Sequence, residues 1–293
     1  MTGFGSRFLA VDWGTTNRRT FLIEQGAVTR PERDDRGVTA VAPGGFEGEA
    51  AALRARFGDL PMLLAGMVGS NIGWRVAPYV AAPAGLPALA RGLTWIDDRT
   101  AIVPGISTLE AGRADVMRGE EVQLLGAVAA GLAPADALLC QPGTHCKWVE
   151  MAGGEIASFT TAMTGELFAL IRAHGLLAAQ LGAEVMPGDA FNAGVAEGAR
   201  RDLAASLFGI RAAKLLGLRD DADAASFASG LLIGGDVAAR LAGTNHDTIH
   251  VLADPVLGGL YGAAIELQGR AARLVDSHAA FIAGIEQIGA LIA

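Results

Sequence analysis

The chain of 293 residues contains only two cysteines, and just 6% of its residues are aromatic. No disulfide framework can be built from so few thiols, and no Cys/His spacing matches a zinc site. Cys140 and Cys146 fall on opposite strands of one expected hairpin. A bridge between them is geometrically conceivable, but two reduced thiols are the expectation. Positive charge is also scarce: 23 Lys and Arg stand against 31 Asp and Glu, with a formal net charge of -8 and a pI near 5.1. A nucleic-acid partner would want a basic surface, so that class is excluded. No apolar run reaches the length of a membrane span. Met1 to Arg7 lacks the basic-then-apolar form of a secretory leader, so a cytoplasmic protein is expected. Two familiar nucleotide motifs are missing as well. No Gly-x-x-x-x-Gly-Lys-Ser/Thr occurs, and the glycine loops present lead from strand to strand, not from strand to helix as in a dinucleotide fingerprint.

What the chain does have is apolar bulk, at 51% of residues, much of it alanine and glycine. That composition suits helices packed closely on sheets, and the length predicts two domains. Two short polar loops interrupt apolar runs. Asp12-Trp13-Gly14-Thr15-Thr16-Asn17-Arg18-Arg19 lies between Phe8–Val11 and Thr20–Ile23. Pro142-Gly143-Thr144-His145-Cys146-Lys147-Trp148 interrupts a second such pair, Leu138–Gln141 and Lys147–Met151. Turns of small residues expose backbone N–H groups that can wrap a phosphate. Two facing loops, one per half, would hold a nucleotide triphosphate between two lobes.

The pattern predicts hairpins over 8–23 and 138–151, with a third strand around Val38 to Val41. It predicts a helix over Glu47–Phe57 and a buried strand over Met62–Met67. An irregular stretch carrying Pro78, Pro83 and Pro87 follows, then a strand at Ala101–Val103. A helix begins near Gly119, a strand lies at Phe159–Ala162, and a helix runs from Gly165 to His174. Helical segments fill 187–245, a strand covers Ile249–Ala253, and helices cover Pro255–Gln268 and Ala279–Ile292. What repeats is the order hairpin, strand, helices.

Chemistry is concentrated at a few positions. Asp12 ends an apolar strand, where a carboxylate can hold a magnesium ion through water. Gly14 lets backbone approach a phosphate, and Thr15 and Thr16 add donors. The second loop offers Gly143, Thr144, His145 and Lys147, with His145 read as a phosphate contact and not as a general base. Glu120 and Glu121 open a helix. Acids are favoured there by the helix dipole alone, yet a phosphoryl-transfer enzyme also needs a carboxylate to accept the acceptor hydroxyl's proton. The run Gly230–Gly235 reads as close helix packing. Small residues over Asp254–Gly259 mark either an ordinary helix start or an adenosine site.

Five stretches carry a more specific resemblance: Ala10–Asn17, Ala65–Trp74, Val116–Glu121, Pro142–Trp148 and Met163–Leu167. In this order they resemble the 2-dehydro-3-deoxygalactonokinase family, of the actin-like ATPase group that includes sugar kinases. The similarity runs from residue 8 to the end. It implies an α/β, two-domain actin-like ATPase (ribonuclease H-like) fold with an interdomain cleft. Residues 1–116 would form the sugar-acid side and 117–293 the adenosine side. It implies transfer of the ATP γ-phosphate to the 6-hydroxyl of 2-dehydro-3-deoxy-D-galactonate in galactonate breakdown, with ATP and Mg²⁺ as cofactors. Asp12 to Thr16 match the first phosphate loop, Gly143 to Lys147 the second, and Asp254 to Gly258 the adenosine region.

The base position holds Glu120 and Glu121 where many sugar kinases of the group have Asp, and the adenosine region lacks a Gly-Gly pair. An acid substrate calls for cationic or amide donors. Arg19, Arg75, Arg118 and Arg172 are candidates for its carboxylate, and Ser70, Asn71 and Trp74 for the lining of the sugar pocket. A kinase for another sugar or sugar acid and a phosphohydrolase of the same fold are the alternatives. A sugar-binding regulator is a third reading, against which stands the lack of a helix-turn-helix before residue 8. A small molecule, not nucleic acid or membrane, is the expected partner. A homodimer is compatible with the sequence and not required by it.

Overall fold

The first loop is built by two strands that are buried on both faces over most of their length. Strand β1 (Arg7–Trp13) pairs antiparallel with β2 (Arg18–Glu24), in register from Arg7↔Glu24 to Trp13↔Arg18. Strand β3 (Ala27–Asp34) then pairs with β2. The computed structural model describes residues 4–110 and 112–292. The third strand thus lies earlier than Val38–Val41, where the chain instead makes a short 3-10 turn at Val38–Ala40. The physical reason is local. Val38 N–H donates to the Gly14 carbonyl (3.0 Å) and Thr39 N–H to the Thr15 carbonyl (3.2 Å), so the segment braces the first loop.

Helix α1 (Phe46–Phe57) and strand β4 (Met62–Ala65) follow. All four residues of β4 are buried. It runs parallel to β1, as a strand covered on both faces does. The proline-bearing stretch is less irregular than its composition suggests. It contains β5 (Tyr79–Ala81) and α2 (Leu86–Arg91), with prolines at helix entry and in a cis Ala82–Pro83 bond. Next come β6 (Thr94–Trp95) and β7 (Thr100–Ile102). The hairpin β8 (Gly105–Glu110) and β9 (Arg113–Met117), which the sequence pattern did not suggest, precedes α3 (Glu120–Ala129).

The second half opens with β10 (Ala137–Gln141), β11 (Cys146–Ala152) and β12 (Glu155–Ala162). Helices α4 (Thr164–His174), α5 (Asp189–Gly198), α6 (Leu203–Leu215) and α7 (Asp221–Leu241) follow. Then come β13 (Thr248–Leu252), α8 (Pro255–Leu267), β14 (Ala271–Val275) and α9 (Ser277–Ala290). Strand β14 was likewise not anticipated.

The sheets repeat one another. The first has the order β3-β2-β1-β4-β7-β6 and the second β12-β11-β10-β13-β14. In each, three consecutive strands lie in reverse order, and the first of the three takes a later strand beside it in parallel. Strand β7 continues the parallel run in one sheet and β14 in the other. A small sheet, β5-β8-β9, stands apart. The chain divides into two compact units: the part up to Asp136 with Met151–Phe159 and the segment from Ser277 on, and Ala137–Glu150 with Thr160–Asp276. The first unit thus includes α3 and α9, which a division at residue 116 gave to the second.

Each unit has its own core. Leu9, Val11, Trp13, Leu53, Met62 and Leu64 centre the first, and Cys140, Trp148, Phe191, Val237, Val251 and Tyr261 the second. Both cysteines are free, with sulfurs 3.6 Å apart. The Gly230–Gly235 run is packing. A methyl on Gly230 would overlap the Phe191 carbonyl, and one on Gly194 would overlap that of Phe227, so α5 and α7 touch backbone to backbone. No helix among the described residues is long and apolar enough to cross a membrane.

Candidate active site

Asp12 stands at the end of β1, half-buried, directly opposite Arg19 on β2. Alternation along β2 separates two neighbouring arginines. Arg18 turns inward onto Asp34 (2.7 Å) and Glu49 (2.9 Å), and Arg19 turns to Asp12 (3.5 Å). In the turn between them Gly14 N–H is spent on the Asn17 carbonyl (3.0 Å), which closes the loop. Thr15 and Thr16 are exposed on it.

Two glycines bring the other acidic element to Asp12. Gly66 follows β4 with φ 94°, and Gly119 precedes α3 with φ 107°, both in the left-handed region that side chains avoid. A methyl on Gly119 would sit 3.1 Å from Gly66 Cα, and one on Gly66 would sit 3.5 Å from Asp12 Oδ1. The start of α3 is thereby pressed against the end of β1. Desolvation raises the Asp12 pKa from 3.8 to about 6; Arg19 opposes that rise, and the negative charge of Glu120 adds to it. Glu120 is half-buried and accepts the Arg118 backbone N–H (3.1 Å).

Its neighbour behaves differently. Glu121 is fully buried, and both its oxygens accept the Gly119 N–H (2.9 and 2.7 Å). Burial first, and then the charge of Glu120, push its pKa from 4.5 to about 8. A carboxyl sealed from solvent and raised to about 8 is a poor proton acceptor for a substrate, whereas Glu120 beside it keeps solvent access.

The residues expected around the sugar acid divide. Ser70, Asn71 and Trp74 lie on one loop after β4, and Asn71 and Trp74 line a hollow of about 310 Å³ with Phe46 and Ile72. Ser70 Oγ donates to the Met67 carbonyl (2.7 Å). Trp74 stacks on Phe46 at 6.3 Å. Arg75 is exposed and donates to the Trp95 carbonyl (2.7 Å). Arg118, expected to meet the substrate directly, is instead buried beneath this loop, with Nη2 on the Ala77 carbonyl (2.7 Å). Arg172 belongs to the second unit and donates to the Gly182 and Ala183 carbonyls.

In the second unit the loop at Gly143 rests on the start of α4. Glu166 N–H donates to the Thr144 carbonyl (2.9 Å), and a methyl on Gly165 would overlap the Gly143 carbonyl. His145 Nε2 and Glu166 Oε2 are 2.6 Å apart. Thr144 and His145 are exposed. Lys147 is buried in β11 with Nζ donating to Thr161 (2.8 Å), so its ammonium is turned into the sheet.

A cleft of about 80 Å³ opens beside this loop, lined by Gly143, Gly165, Phe168, Ser229, Leu257 and Tyr261. Asp254 and Gly258, expected to hold adenosine, have local duties. Asp254 caps α8, accepting from Val256 and Leu257 N–H. A methyl on Gly258 would sit 2.9 Å from Leu274, so the residue is small for packing. Their neighbour Leu257 reaches the cleft instead.

Asp236 on α7, which sequence reasoning passed over, ties the cleft walls together. It accepts from Trp148 Nε1 (3.1 Å), Thr164 Oγ1 (3.1 Å) and Tyr261 OH (3.4 Å). Desolvation raises its pKa despite those bonds. Nothing in the sequence near 236 marks it, because its partners come from three distant elements.

Two phosphate-type loops on two sheets of the same order invite comparison with known proteins. A model of the 2-keto-3-deoxy-galactonokinase family matches residues 12–288. The chain belongs to that family. It is 37% identical to the 2-dehydro-3-deoxygalactonokinase of Escherichia coli strain K12, over 98% of this chain and 99% of that protein. A crystal structure of a candidate 2-dehydro-3-deoxygalactonokinase protein from Sinorhizobium meliloti superposes with TM-score 0.90 at 37% identity, covering 96% of this chain and 97% of that one.

More distant is (R)-2-hydroxyglutaryl-CoA dehydratase component A of Acidaminococcus fermentans, with TM-score 0.51, 9% identity and coverage of 96% and 98%. That likeness concerns the fold alone. The family's fold is the actin-like ATPase fold, α/β with duplicated sheets. Kinases of the family use ATP. Among the described residues no cluster of three or more His, Cys, Asp or Glu could cage a metal. The donor set at Asp12 fits a magnesium ion, which keeps water and phosphate oxygens as most of its ligands and needs only one or two carboxylates.

Proposed function

We propose that this chain is an ATP-dependent sugar-acid kinase that phosphorylates the 6-hydroxyl of 2-dehydro-3-deoxy-D-galactonate in the cytoplasm. The observation that carries the reading is the meeting of Asp12 and Glu120 through Gly66 and Gly119, in a chain of this family. The first unit takes the sugar acid at Ser70, Asn71 and Trp74. The second takes the nucleoside beside Gly143, Ser229, Leu257 and Tyr261. Each unit carries one phosphate-type loop, Gly14 to Thr16 in the first and Gly143 to His145 in the second.

Asp12 would hold magnesium, which when bound neutralises phosphate charge. Glu120 accepts the proton of the 6-hydroxyl as that oxygen bonds to the γ-phosphorus and the bond to the β,γ-bridging oxygen breaks, releasing ADP. Arg19, half-exposed and paired with Asp12, would take up phosphate charge. Such chemistry is mostly positioning and charge neutralisation.

A coupled ADP-release assay over a panel of 2-keto-3-deoxy sugar acids tests the reading. ADP release is expected to need an acceptor and to be fastest with 2-dehydro-3-deoxy-D-galactonate. Equal release without any acceptor would make the chain a phosphohydrolase. A faster rate with another acid would move the substrate assignment and leave the chemistry.

A further inference from the structure

Arg118 carries a charge that phosphoryl transfer leaves unexplained. Its side chain is 9% exposed. Nη2 reaches the Ala77 carbonyl, and the guanidinium carbon lies 4.4 Å from the centre of the Tyr79 ring. Nε and Nη1 are buried with no hydrogen-bond partner, and among the described residues no carboxylate forms an ion pair with the group, although its charge is felt by Glu121. A buried cation without an ion-pair partner is costly, and a carbonyl plus a ring face offsets only part of that cost.

Its surroundings give the charge a use. Nη1 is 2.9 Å from where a methyl on Gly69 would lie, so the guanidinium is pressed against the back of the loop. The loop is closed on itself. Gly69 N–H donates to the Gly66 carbonyl (3.1 Å), Trp74 N–H to Val68 (2.8 Å) and Ala77 N–H to Gly69 (2.9 Å). Ser70 and Asn71, next along the chain from Gly69, keep solvent access. The backbone N–H of Arg118 meanwhile donates to Glu120 (3.1 Å). One residue therefore supports both the acceptor loop and the base.

We propose that Arg118 is a positioning and specificity-determining residue whose sealed positive charge, one backbone layer behind Ser70 and Asn71, makes the acceptor site select a sugar acid over a neutral sugar. It acts through the loop and not by a fork on the substrate, because Nε and Nη1 are closed to any ligand. A carboxylate on the outer side of the loop supplies the missing counter-charge, and a neutral group in its place does not. The inference rests on the reading that Ser70, Asn71 and Trp74 receive the acceptor.

The test is steady-state kinetics on the full chain with 2-dehydro-3-deoxy-D-galactonate and with its neutral analogue bearing CH₂OH in place of the carboxylate. Arg118→Met is expected to raise KM for the acid by about 10- to 100-fold, the size of one full charge at partly screened range. KM for ATP and kcat/KM for the neutral analogue should stay within about two-fold, and Arg118→Lys should recover only part of the preference for the acid, because a buried ammonium gives up its charge more readily than a guanidinium. An equal loss on both acceptors would make Arg118 merely structural and overturn the proposal, as would an unchanged KM for the acid.

Should Arg118→Met lack a cooperative thermal transition, Gly69→Ala carries the test, its methyl meeting both Nη1 and Ile102 Cγ2 at 2.9 Å without deleting the charge. A rise in KM confined to the acid supports the proposal, and an equal change on both acceptors sinks it. Asn71→Leu separates the two levels. If it leaves the acid's KM at the starting value, the acceptor site lies elsewhere. If it raises that KM while Arg118→Met does not, only the Arg118 proposal fails.

Discussion

Glu121→Gln should flatten part of the chain's pH–stability profile. In the folded chain Glu121 is sealed from water, and burial followed by the charge of Glu120 raises its pKa from 4.5 to about 8, against the opposing bonds from Gly119 and the charge of Arg118. The folded state therefore keeps a proton that the unfolded state releases at lower pH. The group costs nothing below about pH 4.5, and stability falls as pH rises from there to about 8, beyond which the loss is complete. At about 1.4 kcal/mol per pH unit the full shift sets an upper bound of about 5 kcal/mol. The part falling between about pH 6.5 and 8 is about 2 kcal/mol.

Asp12, raised to about 6, titrates mostly below that window and is common to both proteins, so it cancels in the difference. Urea unfolding of the parent chain and the variant at the two ends of the window measures the effect. The parent should lose about 1–2 kcal/mol more than the variant on going to the higher pH. A stability difference that does not move with pH would refute the reasoning, because it would mean Glu121 titrates alike in both states. The same variant should retain turnover within a few-fold, since a protonated, sealed carboxyl takes no proton from substrate.

Glu120→Gln, by contrast, should lower kcat by about 100- to 1,000-fold with KM for both substrates nearly unchanged, read by coupled ADP release. Gly230→Ala should destabilise by about 3 kcal/mol or more, because its methyl meets the Phe191 carbonyl and neither backbone can yield; thermal unfolding measures it. Asp236→Ala should cost about 2–4 kcal/mol by leaving Trp148 Nε1 and Thr164 Oγ1 without their acceptor. It should also raise KM for ATP, since Thr164 and Tyr261 line the cleft beside Gly143.

The local grammar of the chain was readable in advance. Apolar runs on either side of the small-residue loops at Asp12 and Gly143 marked two hairpins, and β1, β2, β10 and β11 lie where those runs put them. The acids before the apolar run at Val122 marked the start of α3. Strands β8, β9 and β14 were not readable, because their exposed faces carry mixed residues that alternate no more clearly than a loop. The Val38–Val41 segment looked like a strand because its β-branched Val38, Thr39 and Val41 favour extended structure. Hydrogen bonds to the Gly14 and Thr15 carbonyls settled it as a brace. Asp254 shows the converse: it sits where expected, yet its carboxylate is taken up by the first turn of α8.

The order of residues alone settled the turns, the strand alternation, the two glycine loops and the family, since each depends on groups a few positions apart or on matches read directly along the chain. Tertiary structure decided that Glu121 is sealed while Glu120 keeps solvent access, that Arg118 lies sealed behind the loop, and that Asp236 binds three elements. Those outcomes depend on desolvation and on partners brought from remote segments. A carboxylate's or guanidinium's energy is set by everything packed around it, and packing is a sum over the whole fold that no short stretch of sequence contains.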